Sequence, residues 1–391
     1  MVRPLESYRE LEPQLIAWRR DLHRHPELGF QEQRTAGLVS EVLQALGYRV
    51  QTGVAHTGVI GVLENGPDPV VMARFDMDAL PIQEANPVDY ASCVPGVMHA
   101  CGHDAHVATG LGVASWMAHH REAWRGTLKL IFQPGEEGLN GGEVMVQEGA
   151  LENPRPQAAL VLHVWNKFPA GQVGVSAGPV MAAAEQWRAV IRGRGGHAAA
   201  PHETVDPIVI AALTVTALQS IVSRNVDPQQ TAVVSVGQIH GGTAFNIIPD
   251  EVTLGGTVRT FDEGVRQTVL ARLRSVVEGT AQLWGGSADL SLSAIAPAVV
   301  NDPQVTAVVR SVAEELLGPD AVVQERTMGS EDAAFFLREI PGCYFFVGAA
   351  PADRPVAAHH NPHFDIDEKA LTIGLALMVE SLQRLMPAQE G

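Results

Sequence analysis

Cysteine is scarce in this chain. Its three cysteines, Cys93, Cys101 and Cys343, cannot close a disulfide framework, so a reducing compartment is expected. Positive charge is also in short supply: 27 Lys and Arg against 44 Asp and Glu leave a formal net charge of −17. That balance repels a phosphate backbone, and no basic stripe with interleaved aromatics relieves it, so nucleic acid is not an expected partner. The excess of acid reads first as a solubility feature. No run approaches the roughly 18–20 apolar residues a membrane helix needs. The segment Met1–Arg20 carries Glu6, Arg9, Glu10, Glu12, Arg19 and Arg20, and reads as neither signal peptide nor anchor. A cytoplasmic protein is expected.

What remains is an ordinary globular composition, 46% hydrophobic and 18% charged. At 391 residues the chain exceeds a single core, which stops growing near roughly 250–300 residues, so two domains are expected. Between Tyr8 and Leu46 apolar residues recur at three-to-four spacing, interrupted at His25-Pro26-Glu27-Leu28-Gly29, which predicts two helices about a turn. Short apolar runs at Gly58–Leu63, Val70–Phe75 and Thr127–Phe132 read as buried strands, and Ala105–His120 as a helix between them. This half is an α/β layer on a mostly parallel sheet.

From about residue 183 the texture changes. A strand-like Glu185–Gly193, a helix Pro207–Val222, strands Ala232–Ile239 and Glu251–Thr260, a helix Asp262–Leu283 and a strand Ala288–Ile295 follow in β-α-β-β-α-β order. That order is ferredoxin-like. The expectation is a catalytic domain of residues 1–182 and 298–391, with an inserted lid or dimerisation domain at 183–297. Val305–Leu317 and Asp367–Leu385 read as helices of the returning segment.

Four clusters carry metal-type or acid-base residues, three of them at strand ends or in the loops that follow, where α/β sheets place ligand sites. His99-Ala100-Cys101-Gly102-His103-Asp104-Ala105-His106 precedes a helix and offers imidazole and thiol donors. The alternative is a buried small Cys101 with histidines that line the helix. Gln133-Pro134-Gly135-Glu136-Glu137-Gly138 sets two adjacent carboxylates after a strand, a costly pairing that a cation relieves; a solvated acidic loop is the alternative. His163 ends the run Ala158–Leu162 and can point into the same cleft or sit as a satisfied core residue. The fourth cluster is His359-His360-Asn361-Pro362-His363-Phe364-Asp365.

These tracts, taken in order, resemble the aminoacylase and amidohydrolase branch of the dinuclear-metal peptidases, which includes hippurate hydrolases and auxin-conjugate hydrolases. The likeness also covers Asp21–Leu28, Arg74-Phe75-Asp76-Met77-Asp78-Ala79-Leu80-Pro81, Gly195-Gly196-His197-Ala198, Phe245-Asn246-Ile247-Ile248-Pro249 and Gly329-Ser330-Glu331-Asp332. The resemblance implies a bridging ligand at Cys101, further ligands at His103, Glu137, His163 and His360, and Glu136 as general base. It implies His197 at the developing oxyanion, and Asn246 and Arg259 on the substrate carboxylate. It also implies a homodimer. A thiolate among imidazoles and carboxylates suits two divalent ions of zinc, manganese, nickel or cobalt better than magnesium.

Asp76 reads as a residue that orients a ligand histidine, the His23–Glu27 tract as structural, and Ser330 as a helix N-cap. The expected reaction is hydrolysis of N-acyl amino acids to a carboxylic acid and a free amino acid. A dipeptidase or carboxypeptidase on the same centre is the alternative. An inactive ligand-binding relative would be expected to lack Glu136, which is present, and a zinc nucleobase deaminase would need a Pro-Cys-x-x-Cys partner that is missing.

Overall fold

Every residue of the strands Val70–Asp76 and Gly126–Gln133 is buried, which places them inside a sheet covered on both faces rather than at its rim. The computed structural model describes residues 2–388. In it, eight strands form one sheet in the order Arg49–Val54, Gly58–Asn65, Gly126–Gln133, Val70–Asp76, Ala158–Pro169, Gly342–Ala350, Val173–Gly174, Val322–Val323. The central pairings from Gly126–Gln133 through Val70–Asp76 and Ala158–Pro169 to Gly342–Ala350 are parallel. Antiparallel pairs flank them. The first strand, Arg49–Val54, escapes a sequence reading because only Val54 in it is fully buried, so no apolar alternation marks it.

Beyond its polar first turn the helix His103–His119 is largely apolar on all sides, and it is almost wholly buried. Its approach to the sheet is close: a Cβ on Gly110 would stand 2.7 Å from the Phe75 ring and 2.8 Å from that of Phe132. Helices Glu12–Arg24 and Lys369–Leu385 pack beside it. This arrangement brings the start of His103–His119 to the end of Val70–Asp76, so the cysteine tract and the Asp76–Asp78 turn meet.

The chain divides into two compact units. One comprises residues up to Val180, Val299–Arg326 and the chain from Asp332 onward; the other comprises Met181–Ala298 and Thr327–Glu331. In the second unit four antiparallel strands are ordered Ala232–Gly241, Glu251–Thr260, Ala183–Arg192, Ser287–Ala296, the ferredoxin-like arrangement. Asp206 and Asp262 cap the N-termini of its two helices, Pro207–Asn225 and Glu263–Leu283. Trp187, Ile191, Leu218, Ile221, Leu254 and Leu273 form its core.

One expectation needs correction, and one helix bears on another without overturning it. Among the described residues one helix, Pro207–Asn225, is long and apolar enough to cross a membrane by length and composition. A search for unbroken apolar runs misses it because Thr214, Thr216, Gln219 and Ser220 interrupt the run. Ile210, Ala211, Leu218 and Ile221 are buried in the core of the second unit, while Ile208, Val209, Leu213 and Val222 are exposed. Ser330 is not a helix cap: the next helix, Ala334–Glu339, has Ala333 at its N-cap. The Ser330 hydroxyl instead accepts a hydrogen bond from Arg259 Nη1 at 2.7 Å.

Candidate metal centre

Four separate segments converge at the carboxyl end of the parallel strands. Gly102, at φ +89°, turns the cysteine tract into the helix that begins at His103, a conformation that glycine adopts at little cost. Past Gly126–Gln133 the chain bends through Gly135 into the turn Glu136–Leu139, where Glu137 leaves helical geometry at φ −70°, ψ 69°. His163 lies on Ala158–Pro169, registered against Phe346 of the neighbouring parallel strand. His360, at φ +64°, donates its amide to the Ala100 carbonyl at 2.8 Å, which ties the C-terminal segment to the cysteine tract.

The donor atoms fall into overlapping groups, within each of which all lie within 4.8 Å of one another. Cys101, His103 and His163 form one; Cys101, Glu137 and His360 form a second; His103, Glu136 and Glu137 form a third. The first two share the Cys101 sulfur. Cys101 Sγ stands 3.5 Å from His163 Nε2, and His360 Nε2 lies 3.1 Å from Glu137 Oε1. That last approach lacks hydrogen-bond geometry, so Glu137 Oε1 is buried without a hydrogen-bond partner, as is His103 Nε2.

The surrounding bonds decide which imidazole nitrogens keep a lone pair for the centre. His163 Nδ1 donates to the Val164 carbonyl at 2.6 Å, and His103 Nδ1 donates to the Asp78 carbonyl at 2.8 Å. A carbonyl only accepts, so both rings carry the proton on Nδ1 and present Nε2 as a donor of electrons. His106 is different. Its Nε2 accepts the Val164 amide at 2.9 Å and its Nδ1 donates to Asp76 Oδ1 at 2.5 Å, which leaves nothing for a cation.

Asp76 therefore holds His106, not a predicted ligand, and its other oxygen binds Arg74 at 2.7 Å. It stands 3.8 Å from His103 Nε2, too far for a hydrogen bond. The residue that orients His103 is Asp78, whose Oδ1 lies 3.2 Å from His103 Nδ1 and whose Oδ2 accepts the Glu137 amide at 2.9 Å. Sequence reading passed over Asp78. The signal was its place two residues beyond Asp76 in the same strand-end tract.

The electrostatics favour added positive charge. Burial opposes protonation of His103, yet Asp76 and Asp78 beside it raise its pKa to about 10. Burial pushes the Cys101 thiol well up, and the negative charge of Glu137, Glu136 and Asp76 adds to the effect. Burial, with His106 and His359 nearby, holds His163 well below the usual imidazole range, so it stays a neutral donor. Divalent cations would supply the charge this field calls for and would displace the protons of His103 and Cys101. The orphaned His103 Nε2 and Glu137 Oε1 and the mixed sulfur, nitrogen and oxygen donors fit such ions.

In the second unit, the two-stranded ladder of Gly196–His197 and Ile247–Ile248 brings His197 beside Asn246: Ile247 is registered with His197, and the Ala198 amide donates to the Asn246 carbonyl at 3.1 Å. Arg259 sits near the end of Glu251–Thr260, where burial lowers its pKa.

The fold and donor set are those of a metal-dependent hydrolase with paired metal sites. The chain matches Peptidase family M20/M25/M40 over residues 72–384 and belongs to that family. It is 40% identical to IAA-amino acid hydrolase ILR1-like 2 of Arabidopsis thaliana, over 93% of this chain and 84% of that one. It is 37% identical to Thermostable carboxypeptidase 2 of Saccharolobus solfataricus, over 94% of each. The solved structure of the Bacillus subtilis YXEP protein, a dinuclear metal binding peptidase of the M20 family, superposes with a TM-score of 0.85 at 34% identity, covering 97% of this chain and 100% of that one. The protein is thus an M20 amidohydrolase.

Proposed function

We propose that the enzyme hydrolyses the amide bond of N-acyl amino acids, with two divalent ions of zinc, manganese, nickel or cobalt held by Cys101, His103, Glu137, His163 and His360. The observation that carries the reading is the pair of three-donor groups that share the Cys101 sulfur. His103 and His163 would hold one ion and Glu137 and His360 the other, with the Cys101 sulfur within reach of both groups. When bound, the ions make water a nucleophile at neutral pH.

Glu136 takes the proton of the attacking water and passes it to the leaving amine nitrogen, so one carboxyl group serves as base and then as acid. His197 donates to the carbonyl oxygen as negative charge develops there. Asn246 and Arg259 hold the carboxylate of the amino acid, Arg259 through its paired N–H groups. The likeness to an IAA-amino acid hydrolase favours an acylated amino acid over a peptide.

The test is to reconstitute the protein with each metal and measure amine release from acetyl-, benzoyl- and indoleacetyl-amino acids and from dipeptides. Faster release from acyl amino acids is expected. Turnover of dipeptides or longer peptides alone would move the assignment to a dipeptidase or carboxypeptidase reading, which the likeness to Thermostable carboxypeptidase 2 supports.

The second unit is also proposed to form a homodimer. The supporting features are the exposed Ile208, Val209, Leu213 and Val222 of Pro207–Asn225 and the exposed Ile239 of Ala232–Gly241, a strand at the sheet edge. Sedimentation that gives only monomer at micromolar concentration would exclude it.

A further inference from the structure

The turn that carries Glu136 and Glu137 has little regular structure of its own. Gly135, Gly138 and Asn140 all take positive φ, so helical or strand bonding does not fix its path. Besides the Gly141 amide, which donates to the Gly135 carbonyl at 3.0 Å, buried carboxylates hold it. Asp78 Oδ2 accepts the Glu137 amide at 2.9 Å, and Asp332 Oδ2 accepts the Gly142 amide at 2.8 Å. A further anchor comes from a distant part of the chain: Glu32 Oε1 accepts the Gly135 amide at 2.9 Å.

Glu32 is fully buried, and its other oxygen accepts the Thr57 hydroxyl at 2.5 Å. Burial pushes its carboxyl group above the usual range, while the bonds from Thr57 and Gly135 pull the other way. A buried carboxylate is costly, and an apolar side chain of similar size fills such a space without that cost. What the carboxylate adds is its two bonds. The segment before it lies directly against the turn: a Cβ on Gly29 would stand 3.0 Å from Gly135 Cα and 2.6 Å from Leu139 Cδ1, and one on Gly135 would stand 3.0 Å from the Phe30 ring.

We infer that Glu32 is a positioning residue for the reaction, acting through the Gly135 amide to aim Glu136. The inference rests on the proposed role of Glu136 as base. Glu136 lies between two backbone amides that buried carboxylates grip, Gly135 by Glu32 and Glu137 by Asp78. Loss of the first grip frees the turn on the side of the base and leaves Asp78 to hold Glu137 and His103. The chemical step therefore suffers more than metal or substrate binding.

The experiment compares Glu32→Ala, Glu32→Gln and Thr57→Val in the metal-loaded full chain. Glu32→Ala is expected to lower kcat about tenfold or more, with metal content and KM little changed. Glu32→Gln keeps an amide oxygen for Gly135 and an amide N–H for the Thr57 oxygen, so it is expected to retain most of kcat. Thr57→Val removes only the other bond and is expected to spare kcat. Should Glu32→Ala fail to fold, Glu32→Asp, which keeps the charge but is a methylene short of Gly135, carries the same expectation.

Amide exchange of residues 133–140 gives a reading independent of turnover: faster in Glu32→Ala, unchanged in Glu32→Gln. Wild-type kcat and exchange in Glu32→Ala overturn the inference. So does a loss in Glu32→Gln as large as in Glu32→Ala, which would make charge rather than position the cause. An equal loss in Thr57→Val would assign the effect to packing of the segment and overturn it as well. If the wild-type protein turns over no acyl amino acid, the functional reading fails while the exchange data still decide whether Glu32 holds the turn.

Discussion

Asp78 grips His103 twice, its carbonyl accepting the His103 Nδ1 proton at 2.8 Å and its Oδ1 standing 3.2 Å from the same nitrogen. Its remaining oxygen takes the Glu137 amide, so one side chain sets the direction of two proposed ligands. Asp78→Ala is expected to weaken metal binding roughly 10–100-fold, as loss of a partner behind a ligand histidine does. Metal titration of the stripped protein, followed by activity, checks this: the variant should recover at raised metal concentration. Wild-type metal affinity in Asp78→Ala would remove Asp78 from this role.

Glu136 and Glu137 are adjacent in sequence but are assigned opposite duties. Glu136→Gln keeps the shape of the side chain and loses the proton acceptor, so turnover is expected to fall by about 10²-fold or more while metal content stays near two ions per chain. Glu137→Ala removes a donor that faces Cys101 and His360, and is expected to lose metal. Metal analysis beside kcat separates the two. Full activity in Glu136→Gln would refute its assignment as base.

The legible part of this molecule was the part with periodic or compositional signal. The central strands announced themselves because burial on both faces makes them continuous apolar runs, as in Val70–Asp76. The second unit was legible through its order of alternating strands and helices. The histidine-rich tracts stood out by residue type, and the structure brings His103, His163 and His360 to Cys101. Hidden from sequence were the relations set by side-chain direction. Asp76 and Asp78 look equivalent in a strand-end tract, yet one binds His106 and the other His103. Glu32 lies 103 positions from Gly135, and no local pattern links them. Ser330 read as a cap because residue type suggests caps, whereas tertiary packing gave its oxygen to Arg259.

Lys129 offers a test of stability against pH away from the metal centre. It is almost fully buried on Gly126–Gln133, where its ammonium donates to the Glu152 and Pro154 carbonyls. Burial lowers its pKa to about 8 from the ordinary value of 10.5. Between those values the unfolded chain holds a proton that the folded chain has released, so stability rises with pH through this window. Comparison with Lys129→Met cancels the other titrating groups. In urea unfolding the wild type should gain on the variant between pH 8 and 10.5, by up to about 3 kcal/mol at ~1.4 kcal/mol per unit. A difference that stays flat over this range would show that Lys129 titrates as an exposed lysine does.

Arg259 carries the proposal about what the enzyme grips. An N-acyl amino acid presents a free carboxylate, and a chain of net charge −17 needs a local cation to hold it. The Arg259 guanidinium is half-buried and its Nη1 donates to Ser330 Oγ at 2.7 Å. That bond uses one N–H of five and fixes the plane of the group, which leaves other donors for two parallel bonds to a carboxylate. A lysine in the same place could offer charge but not that planar pair. Arg259→Ala should therefore erase the preference for free acids over their amides, with kcat/KM for the acids falling by several tens to several thousands of fold, equivalent to about 2–5 kcal/mol. Arg259→Lys should recover only part of it. Ser330→Ala should act in the same direction more weakly, because it frees the guanidinium without removing it. His197→Ala should instead lower kcat for acids and amides alike, since it serves the carbonyl oxygen. If Arg259→Ala keeps the wild-type ratio of acid to amide, the carboxylate is held elsewhere and the substrate orientation proposed for this site is wrong.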